Sequence, residues 1–416
     1  MTIIKDTSRS GFKELFRPLA AVLFSRLVLN TARRFAYPFA PVLSRGLGVP
    51  LSAMTALIAV NQATGVLAIF FGPLSDRIGY RRMMMIALTL LILGMAVGGA
   101  FPVYVAVLAA LFAAGMAKNV YDAAVQAYVG ERVPFHRRGA AIGLIELSWA
   151  ASTFIGVPVL GLAIARFGWR SPFFILAMAG MVGLAATFRW ISPDRSDAGA
   201  PDIVRSSPLK AVVGLFRHRT ALGAMGFAFF ISAANDNIFV VYGAWLESSF
   251  DLGVAALGMS TMAIGGAELC GEVLTATLAD RLGLKRAVLL GTVLTAAAFV
   301  LLPFAGASLP LALGALFILF LCFEFTIVSA LTLGTELMPE ARATMMAGFL
   351  AMAGIGRFVG ALAGGVAWTY GGLRFTAVLS MVTTLLALAS LAWGLRHWER
   401  EGAEGSRGPG SKETTT

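Results

Sequence analysis

Eleven charged residues lie in the interior of stretches that are otherwise apolar. Glu268 and Glu272 are four residues apart, so in a helix they project from one face. Two neighbouring carboxylates repel each other in a dry environment, and desolvation favours the neutral acid. One of the two could therefore carry a proton, unless the pair lies at the membrane edge and is partly solvated. The full set is Arg26, Arg33, Arg34, Lys118, Asp122, Glu146, Asp236, Glu268, Glu272, Glu324 and Arg357.

The composition indicates which kind of element must position these charges. Of the 416 residues, 58% are hydrophobic and 13% are charged, and the mean hydropathy is +0.81. A soluble domain is nearer half apolar and a quarter charged, so this is an integral membrane protein. Apolar stretches recur between residues 18 and 396, which leaves no room for a separate soluble catalytic domain.

A helix that crosses a bilayer needs about 20 mostly apolar residues. Polar breaks divide this chain into twelve such runs. We predict spans 1 to 12 at residues 18–42, 50–74, 82–101, 103–128, 138–163, 171–191, 220–245, 253–278, 285–304, 309–334, 342–367 and 372–396. The charged set occupies spans 1, 4, 5, 7, 8, 10 and 11 and leaves the interiors of spans 3, 6, 9 and 12 without charge. Because a charge at the bilayer centre costs about 3 kcal/mol, these residues must pair, become neutral or line a wet cavity.

The basic residues concentrate in alternate loops. With the N-terminus inside, the inner segments hold 23 Lys and Arg, and the outer loops hold 4. This asymmetry predicts that both termini are cytoplasmic, and the compact loops suit a bacterial inner membrane. The same distribution accounts for the net charge of +11 without a nucleic-acid partner, which would require clustered basic residues on one soluble face.

The remaining polar segments complete the predicted domain organisation. A cytoplasmic N-terminal segment (1–17) precedes a six-helix bundle (18–191), and a linker (192–219) leads to a second bundle (220–396) and a tail (397–416). Prolines followed by apolar residues at helical spacing predict that the linker ends in a short interfacial helix. The tail is rich in Gly, Ser, Glu and Thr, which is typical of disorder.

The sequence lacks the residues that enzyme or cofactor chemistry would need. Cys270 and Cys322 lie in apolar runs, and His136, His218 and His397 lie in polar loops or tails, so neither a disulfide framework nor a metal site is indicated. The sequence contains no G-x-x-x-x-G-K-[ST] phosphate loop, which argues against primary transport. We predict that the protein is not an enzyme and uses no cofactor or metal.

An internal repeat divides the chain into two halves. One set of loop residues recurs 204 residues later: Asp76, Arg77, Gly79 and Arg82 correspond to Asp280, Arg281, Gly283 and Arg286. A second set recurs after 205 residues: Glu131, Pro134, Arg137 and Gly143 correspond to Glu336, Pro339, Arg342 and Gly348. Because six spans return the chain to the same side, the repeat predicts two six-helix bundles in the same orientation.

The stretch from Gly72 to Arg82 resembles the loop signature of the major facilitator superfamily, G-x-x-x-D-R-x-G-R-R, with Tyr80 in place of the first Arg. The resemblance implies an all-α membrane fold of twelve helices in two pseudo-symmetric bundles, in which spans 1, 4, 7 and 10 line a central cavity. It also implies a cytoplasmic conformational latch, formed by Gly72, Asp76, Arg77, Gly79, Arg82, Asp280 and Arg281. The alternative is a positive-inside anchor with no switching role.

A second, partial resemblance concerns the subtype. Proton-coupled drug antiporters of this superfamily carry a Gly and Pro rich motif in span 5, which Gly143, Gly156, Pro158 and Gly161 resemble. Where those antiporters usually carry an Arg in span 4, this chain has Leu111. The resemblance therefore favours an antiporter-like member but does not cover the whole motif.

Helical depth, at about 1.5 Å per residue, sorts the charges into groups. Arg26, Asp122 and Glu146 fall at similar depths and could form a buried cluster, which either couples transport or only stiffens the bundle. Lys118 and Glu324 are a candidate cytoplasmic gate or substrate contact. Nearer the outer side, we expect Arg33 or Arg34 to pair with Asp236 as an outer gate. The predicted substrate and proton-coupling residues are Arg33, Arg34, Lys118, Asp122, Glu146, Asp236, Glu268, Glu324 and Arg357.

These observations predict a secondary active transporter that moves a small organic molecule by alternating access. Proton-coupled export by antiport is the first hypothesis. Proton-coupled symport of an organic anion is the second, since four basic groups are unusual for a pump of cationic drugs. A membrane sensor or scaffold of the same fold is the third. The expected partners are the substrate, protons and the lipid bilayer, and we expect a monomer.

Overall fold

The computed structural model describes the backbone of residues 7–133, 135–192, 214–396 and 398. It describes their side chains except those of residues 7–15, 68, 69, 72, 73, 76, 77, 135–142 and 343. Every regular element within these ranges is helical. Nine of the described helices are long and apolar enough to cross a membrane, and a bent pair, Ala40–Leu47 with Leu51–Leu67, is a further candidate.

Helices cover all twelve predicted spans. In the first half they are Thr7–Arg34 with Ala40–Leu47, Leu51–Ala63 with Thr64–Phe70 and Phe71–Ile78, Tyr80–Ala100, Tyr104–Arg132, Phe135–Ala151 with Ser152–Gly156 and Val157–Phe167, and Ser171–Trp190. In the second half they are Arg219–Phe239 with Tyr242–Phe250, Val254–Leu274 with Thr275–Ala279 and Asp280–Leu282, Leu284–Leu301 with Leu302–Ala307, Leu309–Leu337, and Arg342–Gly394. The last helix is broken at Gly372, whose φ of 58° lies in the left-handed region, so it comprises spans 11 and 12.

Spans 1 and 7 are interrupted at corresponding positions. The first helix begins at Thr7, earlier than the predicted residue 18, and ends at Arg34. The first part of span 7 ends at Phe239, which follows Arg34 by 205 residues, the offset of the sequence repeat. Pro38, which has no backbone N–H to donate, lies in the turn after Arg34 and contributes to the break in span 1. The break in span 1 leaves Arg33 and Arg34 at the end of the first helix.

The two halves touch through small residues on one side of the molecule. We call this side, which carries the turns around Gly48 and Gly168, the distal face; the opposite side, which carries Trp190 and Arg219, is the terminal face. A Cβ on Gly161 of span 5 would lie 2.9 Å from Cα of Gly258 in span 8, so only glycines allow this approach. A Cβ on Gly243 would clash with the carbonyl of Pro38.

The apolar core follows the same asymmetry. One buried cluster runs through the first half and continues into the second half through residues such as Leu246, Leu257 and Phe320. A separate cluster, which includes Ala228, Leu333 and Leu391, fills the second half toward the terminal face. Because the cores join near the distal face and separate near the terminal face, the described parts of the halves are closed distally and diverge terminally.

Part of the predicted organisation lies outside the described residues. This is true of residues 1–6, of the linker between 193 and 213, and of the tail apart from Trp398. Phe216, predicted in the interfacial helix, lies in a short 3-10 turn, Leu215–Arg217, and is 48% exposed. The domain boundaries at 17, 191, 219 and 396 remain predictions.

Candidate functional site

A cavity of about 470 Å³ lies between the two halves. Eight of the nine predicted cavity residues line it; Asp122 does not, but it contacts two residues that do. The lining residues come from spans 1, 2, 4, 5, 7, 8, 10 and 11 and belong to both halves. They are Arg26, Arg33, Arg34, Tyr37, Gln62, Lys118, Gly143, Glu146, Trp149, Asn235, Asp236, Phe239, Glu268, Glu272, Phe320, Phe323, Glu324, Ile327, Val328, Leu331, Leu350 and Arg357.

Arg26 is the centre of a cluster confined to the first half. Its Nε donates to Asp122 Oδ1 at 2.9 Å, and its Nη1 donates to Glu146 Oε1 at 2.8 Å. Lys118 pairs with the other oxygen of Asp122 one helical turn away. The structure therefore brings together the three residues that the depth estimate placed together. Two cations face two carboxylates, so the cluster is neutral as a unit.

Arg34 pairs with Glu268 across the two halves. Its Nη1 donates to Glu268 Oε2 at 3.2 Å, its Nη2 contacts Oε1, and both side chains are 4% exposed. The Arg34 guanidinium also lies 4.2 Å from the ring centroid of Trp149. The predicted pairing of Arg34 with Asp236 is therefore wrong in this conformation. Adjacent side chains on a helix diverge by about 100°, and Arg34 points to span 8.

Arg33 is linked to Asp236 through neutral groups. Its Nη2 donates to Gln62 Oε1 at 2.6 Å, Gln62 Nε2 donates to the Tyr37 hydroxyl at 2.7 Å, and that hydroxyl donates to Asp236 Oδ1 at 2.7 Å. A direct Arg33–Asp236 ion pair was expected and is not formed, because Tyr37 and Gln62 lie in this chain of bonds. Gln62 and Trp149 were missed by sequence reasoning, although an amide inside an apolar span is a recognisable signal.

Three charged cavity residues make no hydrogen bond or ion pair to any residue that the structure describes: Glu272, Glu324 and Arg357. Glu324 is 7% exposed and packs against Gly271 of span 8. Glu324 and Lys118, predicted as a cytoplasmic gate or a substrate contact, both line the cavity but do not contact each other in this conformation, in which Lys118 pairs with Asp122. Glu268 and Glu272 do share a face of span 8, but only Glu268 has a cationic partner.

The distal face carries a further contact between the halves. Arg45, in the short helix after the break in span 1, donates to both oxygens of Glu247 at 2.9 and 2.6 Å. This pair was not predicted, since both residues fall near the ends of apolar runs. Together with the Arg34–Glu268 and Tyr37–Asp236 contacts, it joins spans 1, 7 and 8 on the closed side of the cavity.

The predicted latch lies on the terminal face. Gly79 and Gly283 have φ of 99° and 80°, and each separates two helices in its loop. Gly72 lies in the helix Phe71–Ile78, and the side chains of Asp76 and Arg77 lie outside the described residues. Asp280, Arg281 and Arg82 are exposed. Among the described residues, no group of three or more His, Cys, Asp or Glu could hold a metal ion.

A helical membrane protein with two halves around a charged central cavity has the architecture of a membrane transporter. The sequence model of the Major Facilitator Superfamily matches residues 22–267 and 225–415, so this chain belongs to that superfamily. It is therefore a multi-pass membrane protein of a superfamily of transporters, whose members are not enzymes.

Curated relatives support the assignment. The chain is 27% identical over 240 residues to the uncharacterized MFS-type transporter YceJ of Bacillus subtilis (strain 168), and the match covers 57% of this chain and 60% of YceJ. It is 26% identical over 280 residues to the uncharacterized MFS-type transporter YwfA of the same organism, covering 65% and 66% of the two chains. The matches thus span about two thirds or less of these relatives.

Solved structures show the same fold. A bacterial homolog of the human lysosomal transporter Spinster, in an inward-facing and occupied conformation, superposes with a TM-score of 0.73 at 13% identity, covering 91% of this chain and 96% of that one. A D-xylose-proton symporter superposes with a TM-score of 0.72 at 18% identity, covering 93% and 98%.

Proposed function

We propose that this protein is a proton-coupled secondary active transporter of a small organic molecule in the bacterial inner membrane. The terminal face is then cytoplasmic, and the conformation described here is open to the cytoplasm. The observation that carries the proposal is Glu324, a buried carboxylate in the cavity wall with no ion pair to a described residue. Desolvation opposes an isolated charge in such a place, and a proton removes that charge.

The cross-half contacts suggest how protons and conformation are linked. Opening the distal face requires that Arg34 separates from Glu268 and that Tyr37 separates from Asp236. Removing one partner from a buried ion pair costs about 3–5 kcal/mol, because the other charge is left uncompensated. A proton or a substrate charge that neutralises the separated group lowers this cost. Glu268 and Asp236 are therefore the proposed coupling sites beside Glu324.

Two directions of coupling are consistent with this chemistry. Export by antiport is the direction implied by the span 5 resemblance. Symport of an organic anion is the second candidate. It is favoured by Arg33 and Arg357, two guanidinium groups of the cavity that have no carboxylate within ion-pair distance among the described residues. A sensor or scaffold would not need a cavity of this charge content.

The experiment that tests the proposal measures proton movement in liposomes that contain the purified full-length protein and a pH-sensitive dye. Cationic, neutral and anionic compounds are added in turn under an imposed proton gradient. Wild type is compared with Glu324→Gln and with Glu340→Gln, a matched control at an exposed residue outside the cavity. We expect one charge class to evoke proton movement that Glu324→Gln abolishes and Glu340→Gln retains.

The sign of the movement distinguishes the two directions. Proton flux opposite to substrate flux establishes antiport, and flux in the same direction establishes symport. Compound uptake with no proton movement in wild type would overturn proton coupling, and equal fluxes in both variants would overturn the role of Glu324.

A further inference from the structure

The distal end of the cavity carries excess positive charge. Arg33 is 7% exposed, and its guanidinium donates only to the amide oxygens of Gln62 and Asn119, while its Nε is buried without a hydrogen-bond partner. Arg357 lines the same cavity and lies 5.7 Å from the ring centroid of Trp149. Asp236 is the carboxylate within electrostatic range of both guanidinium groups. Glu324 is also within electrostatic range of Arg357. When Glu324 carries a proton, two positive charges therefore face one negative charge.

The rest of the cavity carries an excess of negative charge. Arg26 and Lys118 are balanced by Asp122 and Glu146, and Arg34 is balanced by Glu268. Glu272 and Glu324 are left toward the terminal face. Ionised, they make the mouth of the cavity negative, and Glu324 offsets part of the positive charge at Arg357. An anion is thus attracted to the far end and repelled at the mouth until those carboxylates take up protons.

The wall between these two ends is apolar. Phe239, Phe320, Phe323 and Ile327 line the cavity on the side of the second half, and Trp149 lines it on the side of the first half. Such a surface binds an aromatic or aliphatic body by burial of apolar area. The charges and the wall together define a ligand with one anionic end and one apolar end.

We infer that the substrate is an amphiphilic organic anion whose carboxylate, sulfonate or phosphate group binds between Arg33 and Arg357. Its apolar body lies against the apolar wall formed by Phe239, Phe320, Phe323 and Ile327. This inference rests on the proposed transport function and specifies the substrate class of the same cavity. A guanidinium group binds such oxygens in a charge-assisted, bidentate manner. Anion binding at the distal end and protonation at the mouth favour each other, which predicts symport.

Binding can be tested on the full chain in lipid nanodiscs. The probes are benzoate, 3-phenylpropanoate and 5-phenylpentanoate, each compared with the amine that has the same apolar body. The measured quantity is the concentration that gives half of the maximal increase in Tm. We expect at least one carboxylate to bind with a half-saturating concentration tenfold or more below that of its amine. Equal values for acids and amines, or no Tm increase with any carboxylate, would overturn the inference.

Variants locate the binding group. Arg357→Gln should raise the half-saturating concentration of the carboxylate tenfold or more, whereas Arg374→Gln, an exposed Arg outside the cavity, should leave it unchanged. Arg357→Lys keeps the charge and should retain part of the selectivity. Arg33→Gln tests the second guanidinium group in the same way. If this variant lowers the yield of folded protein, Arg33→Lys is used in its place. Unchanged carboxylate binding in Arg357→Gln would contradict the proposed site.

The proton-flux assay separates this inference from the function on which it rests. Selective carboxylate binding without proton movement would leave the anion site in place and overturn the coupled transport. Proton movement evoked only by cations, without selective carboxylate binding, would support coupled transport and overturn the anion site.

Discussion

Arg34 of the first half and Glu268 of the second half form a bidentate ion pair that is buried in the wall of the central cavity. The pair joins span 1 to span 8 at the point where the helix of span 1 ends. It therefore holds the distal side closed while it neutralises two charges that would otherwise be exposed to an apolar environment.

Glu268→Gln should destabilise the protein strongly, because it leaves the Arg34 guanidinium buried with one acceptor oxygen and no compensating negative charge. The expected loss is about 3–5 kcal/mol of unfolding free energy. Glu247→Gln is the matched control, since it breaks the pair with Arg45, whose side chain is 61% exposed; such a pair is worth about 0–1 kcal/mol. Tm values in nanodiscs give the comparison. Similar losses in both variants would show that the Arg34–Glu268 pair is not specially stabilising.

Tyr37→Phe should weaken the closed distal side. The substitution removes the hydroxyl that bridges Gln62 and Asp236 and leaves a buried carboxylate oxygen without its donor. A buried group left unsatisfied in this way costs about 1–3 kcal/mol. Tyr370→Phe, at a side chain that is 83% exposed, serves as the control. A Tyr37→Phe variant with the Tm of wild type would indicate that water or another donor replaces the hydroxyl.

Gly161→Val should shift the protein away from the conformation described here. The new side chain would press against Gly258, where even a Cβ lies 2.9 Å from the Cα atom, so spans 5 and 8 could no longer meet. The readout is the reaction of an impermeant maleimide with a cysteine at Leu331, a lining residue, in a variant without Cys270 and Cys322. Labelling from the terminal face should fall several-fold.

Gly314→Val controls for the same change of residue type, since nothing lies within 4 Å of a Cβ at Gly314. Its labelling should match that of the parent. Undiminished labelling in Gly161→Val would mean that the Gly161–Gly258 contact does not decide between the two conformations.

Gly283→Ala should strain the loop that separates spans 8 and 9. Gly283 has a φ of 80° and a ψ of 130°, and holding a residue in such a sparsely populated backbone region costs about 1–3 kcal/mol. The strain does not come from a steric clash, because a Cβ there would meet no atom within 4 Å. Gly306→Ala, which is equally open but has no positive φ, provides the control. A Tm drop confined to Gly283→Ala confirms the backbone requirement, and an equal Tm in both refutes it.

The charged residues of the cavity could be predicted from the sequence because a charge placed in the bilayer costs free energy. Charges that occur only on certain spans must face inward, so the position of Arg26, Lys118, Glu268 and Glu324 along the chain already marked the cavity. Depth along a helix also predicted that Arg26, Asp122 and Glu146 meet, since all three belong to one half and their spans run side by side.

Pairing across the halves could not be predicted in the same way. Depth places Arg33, Arg34 and Asp236 at one level, but it contains no information on the rotation of each helix. The break after Arg34 and the insertion of Tyr37 and Gln62 decide that Arg34 contacts Glu268 and that Arg33 reaches Asp236 only through neutral groups.

The sequence by itself determined that this is a twelve-span membrane protein with two related halves and a charged interior, because hydropathy, repeat spacing and the cost of buried charge are properties of the chain. The tertiary structure alone decided which carboxylates have a cationic partner and which guanidinium groups have no ion pair among the described residues. That decision depends on helix rotation and on the approach of backbones at glycines such as Gly161 and Gly258, and both are fixed only when all the spans pack together.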